Sequence, residues 1–151
     1  MANIIKINFW NANGLLNHQQ ELQAILDINK IVVCLISETR FTKQSFIKFR
    51  GYKIYHKIHP GNAAKDGSAI IVKDNIYHNE EVKIEADDTL ATALNVKTKK
   101  CNIVVASLYS SPKHNINAER YVELFENRKT ICRWWRLRYK TYALGIEAYN
   151  Y

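Results

Sequence analysis

The stretch IVVCLISETR, residues 31–40, decides the fold class. Residues 31–37 form an almost continuous apolar run rich in β-branched side chains, which is typical of a strand buried on both faces of a sheet. Glu38-Thr39-Arg40 follows directly, so charged groups stand at the end of a buried strand. The stretch therefore predicts a central strand with a polar site at its carboxyl end.

The segments on both sides of this strand also have apolar patterns that predict helices and strands. A helix is expected over 16–30, because Leu22, Ile25, Leu26 and Ile28 recur at helical spacing behind Asn17, a candidate N-cap. A second helix is expected over 118–127. Further strands are expected over 4–10, 51–58, 68–73 and 102–109, with a hairpin in 82–100 that turns near 87–88. Strands with one early and one late helix predict a layered α/β or α+β domain with mixed sheets.

Length and composition fit one globular domain. The chain has 151 residues, of which 47% are hydrophobic and 24% charged. No apolar run approaches the roughly 20 residues of a membrane span, and MANIIKINFW does not resemble a secretory signal. Three widely spaced cysteines, Cys34, Cys101 and Cys132, favour reduced thiols. We expect an intracellular protein of the nucleus or cytoplasm, with no membrane partner.

The net charge of +8 is unevenly distributed. Residues 128–151 hold six of the 22 Lys and Arg residues and one of the 14 acids, which leaves 16 basic and 13 acidic residues in 1–127. The body of the chain is therefore only mildly basic, and the excess belongs to its tail.

Three polar residues stand at the ends of expected buried strands: Asn11, Glu38 and Tyr109. Taken singly, they could be a turn former, a cap and a phenol at the edge of the core. Taken together they predict one polar cleft, since a partly buried carboxylate requires a cation or donors nearby. An amide oxygen and a carboxylate, completed by waters and a phosphate, are ligands that Mg²⁺ prefers.

Four motifs in this order resemble the endonuclease/exonuclease/phosphatase superfamily: WNANGL (10–15), ISET (36–39), KDGSAIIVK (65–73) and ASLYSSP (106–112). They are most similar to the apurinic/apyrimidinic-type endonuclease domain of Jockey-like non-LTR retrotransposons. The resemblance covers residues 3 to about 127. It implies the N-terminal part of a four-layered α/β/β/α sandwich of the DNase I-like type. It also implies a metal-dependent nick in DNA that primes reverse transcription, with a reverse transcriptase domain in the parent protein.

The resemblance assigns roles to named residues. Asn11 and Glu38 match the residues of the metal site, which would hold Mg²⁺ or Mn²⁺, and Tyr109 matches the tyrosine that contacts the scissile phosphate. Asn13 and Arg40 are candidate DNA-binding residues beside them. Arg40 stands where such sequences commonly carry His, and Asp66 stands where they usually carry glycine; both departures are interpreted as drift.

Two catalytic segments of the family have no counterpart here. The family needs a Gly-Asp-x-Asn segment and a later Ser-Asp-His segment, yet no histidine follows His114 and Glu147 is the only acid after Glu126. We therefore expect a truncated domain over 1–127, an aberrant tail over 128–151, and no competent active site.

The tail contains ICRWWRLRYKTY (131–142), which has neither strand nor helix periodicity. Every Trp codon is TGG, so reading one nucleotide later turns Trp134 and Trp135 into glycines, and Arg136 can become aspartate. This reading gives Gly-Gly-Asp at the position where the family pattern has it. No codon of Arg138, however, can give the Asn of that pattern. We favour a frameshift. The alternative is a basic, aromatic arm that makes the chain a non-catalytic nucleic-acid-binding module; a phosphodiesterase or phosphatase of the same superfamily is a further alternative.

Overall fold

The computed structural model describes residues 5–80, 85–86, 89–99, 102–110 and 141–144. Nine strands, one α-helix and one 3-10 turn lie in these ranges. The strands are β1 Ile7–Asn11, β2 Val33–Ser37, β3 Tyr52–Lys57, β4 Ser68–Lys73, β5 His78–Glu80, β6 Glu85–Ala86, β7 Thr89–Lys97, β8 Asn102–Ser110 and β9 Thr141–Leu144. The 3-10 turn covers Leu15–His18 and the helix α1 covers Gln19–Asn29.

Two sheets are formed. The first has the strand order β1-β2-β4-β3, with β1 and β2 parallel and the other pairs antiparallel. The second is antiparallel, with the order β5-β7-β8-β9 and with β6 paired to β7. Pairing of Ala86 with Thr89 agrees with the expected hairpin, whose turn at 87–88 lies outside the described residues.

The strand β2 is buried on both faces, as predicted. Val33 and Leu35 pack in the core between the two sheets, whereas Cys34 and Ile36 pack in the core beneath α1. Cys34 is completely buried, and burial raises the pKa of its thiol to about 12. Because the two faces of one strand serve two cores, β2 holds α1 and both sheets together.

The described residues form three of the four predicted layers: α1, the first sheet and the second sheet. The outer face of the second sheet also carries buried side chains, Ala91, Ala93, Ala106 and Leu108. The predicted helix 118–127 lies outside the described residues. None of the described helices is long and apolar enough to cross a membrane.

Two details of the predicted first helix were wrong. Asn17 lies inside the 3-10 turn, and His18 precedes α1 without a side-chain capping bond. Ile28 is 78% exposed, while Leu22 and Leu26 are completely buried. The 3-10 turn shifts the start of α1, which ends on left-handed Lys30, and Ile28 lies on the exposed side of its last turn.

Candidate functional site: the carboxyl edge of the first sheet

Three loops meet where β1 and β2 end and β4 begins. Backbone hydrogen bonds extend the sheet beyond its strands, from Ala12 N–H to Ser37 O at 3.0 Å and from Gly14 N–H to Glu38 O at 2.9 Å. On the other side, the Arg40 N–H donates to Asp66 O at 2.9 Å. The loops 11–15, 38–40 and 59–67 are therefore locked side by side. We call them the carboxyl edge.

The backbone of the carboxyl edge is unusually strained. Seven of its residues have positive φ angles: Asn13, Gly14, Glu38, Arg40, Asn62, Asp66 and Gly67. Residues other than glycine rarely adopt this left-handed conformation, which costs of order 1–3 kcal/mol each and is concentrated at functional sites. Glu38, at φ 54°, turns out of β2 in this way.

Side-chain alternation places Asn11 and Tyr109 on the faces of the two sheets that pack against each other. Ile7 and Phe9 of β1 pack between the sheets, so Asn11, two residues further on, lies on that face. In β8, Ile103 and Val105 face the first sheet, and so does Tyr109. The two residues therefore point from opposite sheets toward the same end of the molecule.

Ser107 fixes how the two sheets are aligned at this end. Its hydroxyl donates to Ile36 O across the sheets at 2.7 Å. Tyr109 lies two residues beyond Ser107 on the same face, just as Glu38 lies two residues beyond Ile36. This alignment brings the phenol of Tyr109 to the carboxyl edge.

The Tyr109 phenol lies near charged side chains of two of the three loops. Burial raises the pKa of its phenol far above the ordinary value, with further contributions from a hydrogen bond to the Asp66 carboxylate and from the charges of Asp66 and Glu38. The Arg40 charge acts in the opposite direction. The phenol therefore stays protonated at neutral pH, and it can donate a hydrogen bond.

The candidate metal ligands lie at neighbouring positions. Asn11 pairs with Ser37 in the parallel register, so Glu38 follows directly beside it. Asn11 is exposed, and its side-chain oxygen accepts from the Asn13 N–H at 3.1 Å, which leaves a second lone pair.

Two buried hydroxyls flank Glu38. Ser37 Oγ and Thr39 Oγ1 have no hydrogen-bond partner. Hydroxyls of this kind could bond to water.

The donor set fits a hard, hydrated cation. Within the described ranges no three His, Cys, Asp or Glu side chains converge as a metal cluster. Mg²⁺ does not require such a cluster, because it usually keeps several waters and binds through one or two carboxylates plus a phosphate. Glu38 and Asn11, with hydroxyls nearby, are compatible with this mode.

The sequence prediction missed Asp66. From the sequence alone, Asp66 is interpreted as drift. In the structure its carboxylate is a hydrogen-bond partner of the Tyr109 phenol, and His59 Nε2 lies 3.9 Å from Asp66 Oδ2. The neighbouring Asp-Gly pair marks a turn in the sequence, but no local pattern indicates which distant side chain such a turn will meet.

Asn13 and Arg40 lie at the same edge. Both side chains are exposed, and Arg40 Cδ passes over Gly14. A cation and an amide are therefore accessible beside Tyr109 and Glu38, where an anionic partner would contact them.

No family model matches the chain. The endonuclease domain of TRAS1, a telomere-specific non-LTR retrotransposon, superimposes with a TM-score of 0.61 at 20% identity, over 81% of this chain and 52% of that domain. An apurinic/apyrimidinic endonuclease of Leishmania major superimposes with a TM-score of 0.57 at 14% identity, over 82% of this chain and 45% of that enzyme. The chain therefore has the endonuclease/exonuclease/phosphatase fold.

Two proteins of similar sequence come from mobile elements. The RNA-directed DNA polymerase from mobile element jockey of Drosophila melanogaster is 32% identical over 118 residues, which are 78% of this chain and 12% of that protein. The corresponding Drosophila funebris protein is 28% identical over 121 residues, 80% of this chain and 13% of its own length. The resemblance to a Jockey-like non-LTR retrotransposon endonuclease domain is thus confirmed. The chain spans about an eighth of the length of these relatives.

Proposed function

We propose that the carboxyl edge is the cation- and phosphate-binding part of a DNA endonuclease site from a Jockey-like retrotransposon. The observation that carries this proposal is the meeting of Tyr109, from the second sheet, with Glu38 and Arg40, from the first. A protonated phenol, a carboxylate and an exposed guanidinium at one strained edge are suited to a phosphodiester and its counterion.

Each residue has a distinct task in this proposal. Glu38 and Asn11 hold Mg²⁺ or Mn²⁺, which, when bound, would offset the negative charge that develops on the phosphoryl group. Tyr109 donates its phenolic proton to a phosphate oxygen. Arg40 and Asn13 contact the neighbouring DNA backbone, and this fixes the register of the strand but selects no sequence.

Binding of DNA does not imply cleavage by these 151 residues. Hydrolysis also requires a group that positions the attacking water and a group that stabilises the leaving oxygen. The resemblance assigns those tasks to an aspartate, an asparagine and a histidine in segments that have no counterpart after His114. We propose that this polypeptide binds but does not nick DNA.

The proposed biological context is that of the relatives. Those relatives are RNA-directed DNA polymerases of mobile elements. We propose that the intact parent of this chain joins the endonuclease domain to a reverse transcriptase and nicks target DNA to prime reverse transcription. It would act inside the cell, in the nucleus or the cytoplasm.

Cation-dependent DNA binding tests the proposal. Fluorescence anisotropy of a labelled duplex should show tighter binding in Mg²⁺ than in EDTA at matched ionic strength, and Glu38→Gln should abolish that difference. Glu21→Gln is the matched control, because Glu21 lies on α1, is 61% exposed and pairs with His18. If both variants kept the Mg²⁺ dependence, Glu38 would not be a cation ligand.

A further inference from the structure

Asp66 occupies a fixed position beside the Tyr109 phenol. Its backbone O accepts from the Arg40 N–H at 2.9 Å, and its own φ is 59°. The next residue, Gly67, packs so closely on Thr39 Oγ1 that no side chain fits there. These contacts restrain the backbone of the loop at Asp66 and Gly67, and so they limit how far the Asp66 carboxylate can move.

The carboxylate is partly buried and has few other partners. Its side chain is 21% exposed, and His59 Nε2, at 3.9 Å, is too distant for a hydrogen bond. The Ser68 hydroxyl lies 3.0 Å from Thr92 Oγ1, and Leu90, two residues before Thr92, pairs with Tyr109. This register places Asp66, two residues before Ser68, beside the Tyr109 phenol, which is its hydrogen-bond partner. Hydrogen bonds to charged acceptors are roughly twice as strong as neutral ones.

A tyrosine has only one proton to donate. The same hydroxyl that donates to Asp66 is the group that would donate to a phosphate oxygen, and it cannot serve both at once. The Asp66 carboxylate also places a negative charge where a phosphate would approach. Both effects act against binding of an anion at this edge.

We propose that Asp66 competes with DNA phosphate for the Tyr109 hydroxyl and so weakens phosphate binding at the carboxyl edge. This inference rests on the proposed function of the carboxyl edge. Arg40 and His59 are the cationic or protonatable groups facing the pair, and Glu38 is the other acid. Glu38 differs from Asp66 because it would be neutralised by the cation that it holds.

Two substitutions test the competition. Asp66→Asn keeps the size and tolerates the positive φ, and Asp66→Gly removes the acceptor altogether without backbone strain. Both should tighten binding of the labelled duplex in Mg²⁺, Asp66→Gly by about fivefold or more, the size of one charged hydrogen bond after partial screening. Circular dichroism establishes that each variant is folded.

Asp74→Asn is the matched control for charge. Asp74 is exposed and follows β4, whose other end begins at the carboxyl edge, so this change alters net charge equally at the far side of the sheet. Its effect should be smaller than that of Asp66→Asn, because exposed charges beyond a Debye length are screened.

Tyr109→Phe completes a double-mutant cycle. The phenol should contribute little to affinity while Asp66 is present and should contribute most of the gain in Asp66→Gly. The proposal is overturned if both Asp66 variants weaken binding, if Asp74→Asn tightens it equally, or if the gain survives in Asp66→Gly/Tyr109→Phe. Should the Glu38→Gln effect also be absent, the proposed function itself fails; if it persists, only the role of Asp66 is wrong.

Discussion

At the scale of single residues, the carboxyl edge depends on conformations that most side chains avoid. Glu38, Arg40 and Asp66 all have positive φ angles, and hydrogen bonds between neighbouring loops maintain them. The sequence places Glu38 at the end of a buried strand, and that much was predictable from residues 31–38. Its left-handed turn was not, because the turn is imposed by loops that are distant in sequence.

Gly67 provides a quantitative test of how tightly these loops pack. A Cβ at Gly67 would collide with Thr39 Oγ1 and lie 3.2 Å from Lys57 O, whereas a Cβ at Gly51 meets nothing within 4 Å. Both glycines have positive φ, at 99° and 76°. Alanine at either position should cost roughly 1–2 kcal/mol of backbone strain, and Gly67→Ala should cost about 1–3 kcal/mol more from overpacking.

Urea denaturation measures this difference as a lower unfolding midpoint for Gly67→Ala than for Gly51→Ala. Thr39→Ala should recover part of the loss in the double variant, since it removes the colliding atom. Equal midpoints for the two glycine variants would show that a Cβ at position 67 is accommodated without overpacking.

At the scale of elements, apolar patterns in the sequence determine where the strands form. The contacts between the two sheets determine where the residues of the site lie. The runs 31–37 and 68–73 indicated strands buried on both faces, and β2 and β4 have this property. The hydrogen-bond partner of Ser107 could not be predicted from a pattern of this kind. A serine in an apolar strand does not indicate its acceptor, which is Ile36 O on the other sheet. Yet this bond sets the position of Tyr109.

The tail contains one described element, β9, which pairs with β8 from Ala106 to Tyr109. A four-residue strand at a sheet edge does not distinguish a selected sequence from an out-of-frame one, because backbone groups alone supply its hydrogen bonds. The origin of residues 128–151 stays a prediction, and the coding DNA tests it.

Translation one nucleotide later, from about codon 128, should give Gly-Gly-Asp opposite Trp134–Arg136 and then a His-rich stretch that ends near Trp-Gly-Ser-Arg. The reason is that both Trp codons are fixed by the genetic code, while their neighbours permit the remaining residues. A stop codon or unrelated residues in that frame would instead favour the basic, aromatic arm.

At the scale of the whole molecule, the two sheets are stacked so that one end collects the polar groups. The core between them is apolar at one end, with Leu94 and Val96 against Val33 and Val72, and polar toward the carboxyl edge, where the Ser68 hydroxyl lies 3.0 Å from Thr92 Oγ1. The sequence motifs predicted this architecture through a family resemblance. Composition and periodicity alone predicted only strands and a layered class, because pairing between distant strands leaves no local pattern.

The central claim is that this chain holds a cation- and phosphate-binding edge without the groups that complete hydrolysis. The most direct measurement is nicking of supercoiled plasmid in Mg²⁺, made on a sample whose Mg²⁺-dependent duplex binding has been verified. We predict no nicking above that of Glu38→Ala, because loss of groups that act as a unit lowers rates by several orders of magnitude. Clear nicking by the native chain that disappears in Glu38→Ala would contradict this account.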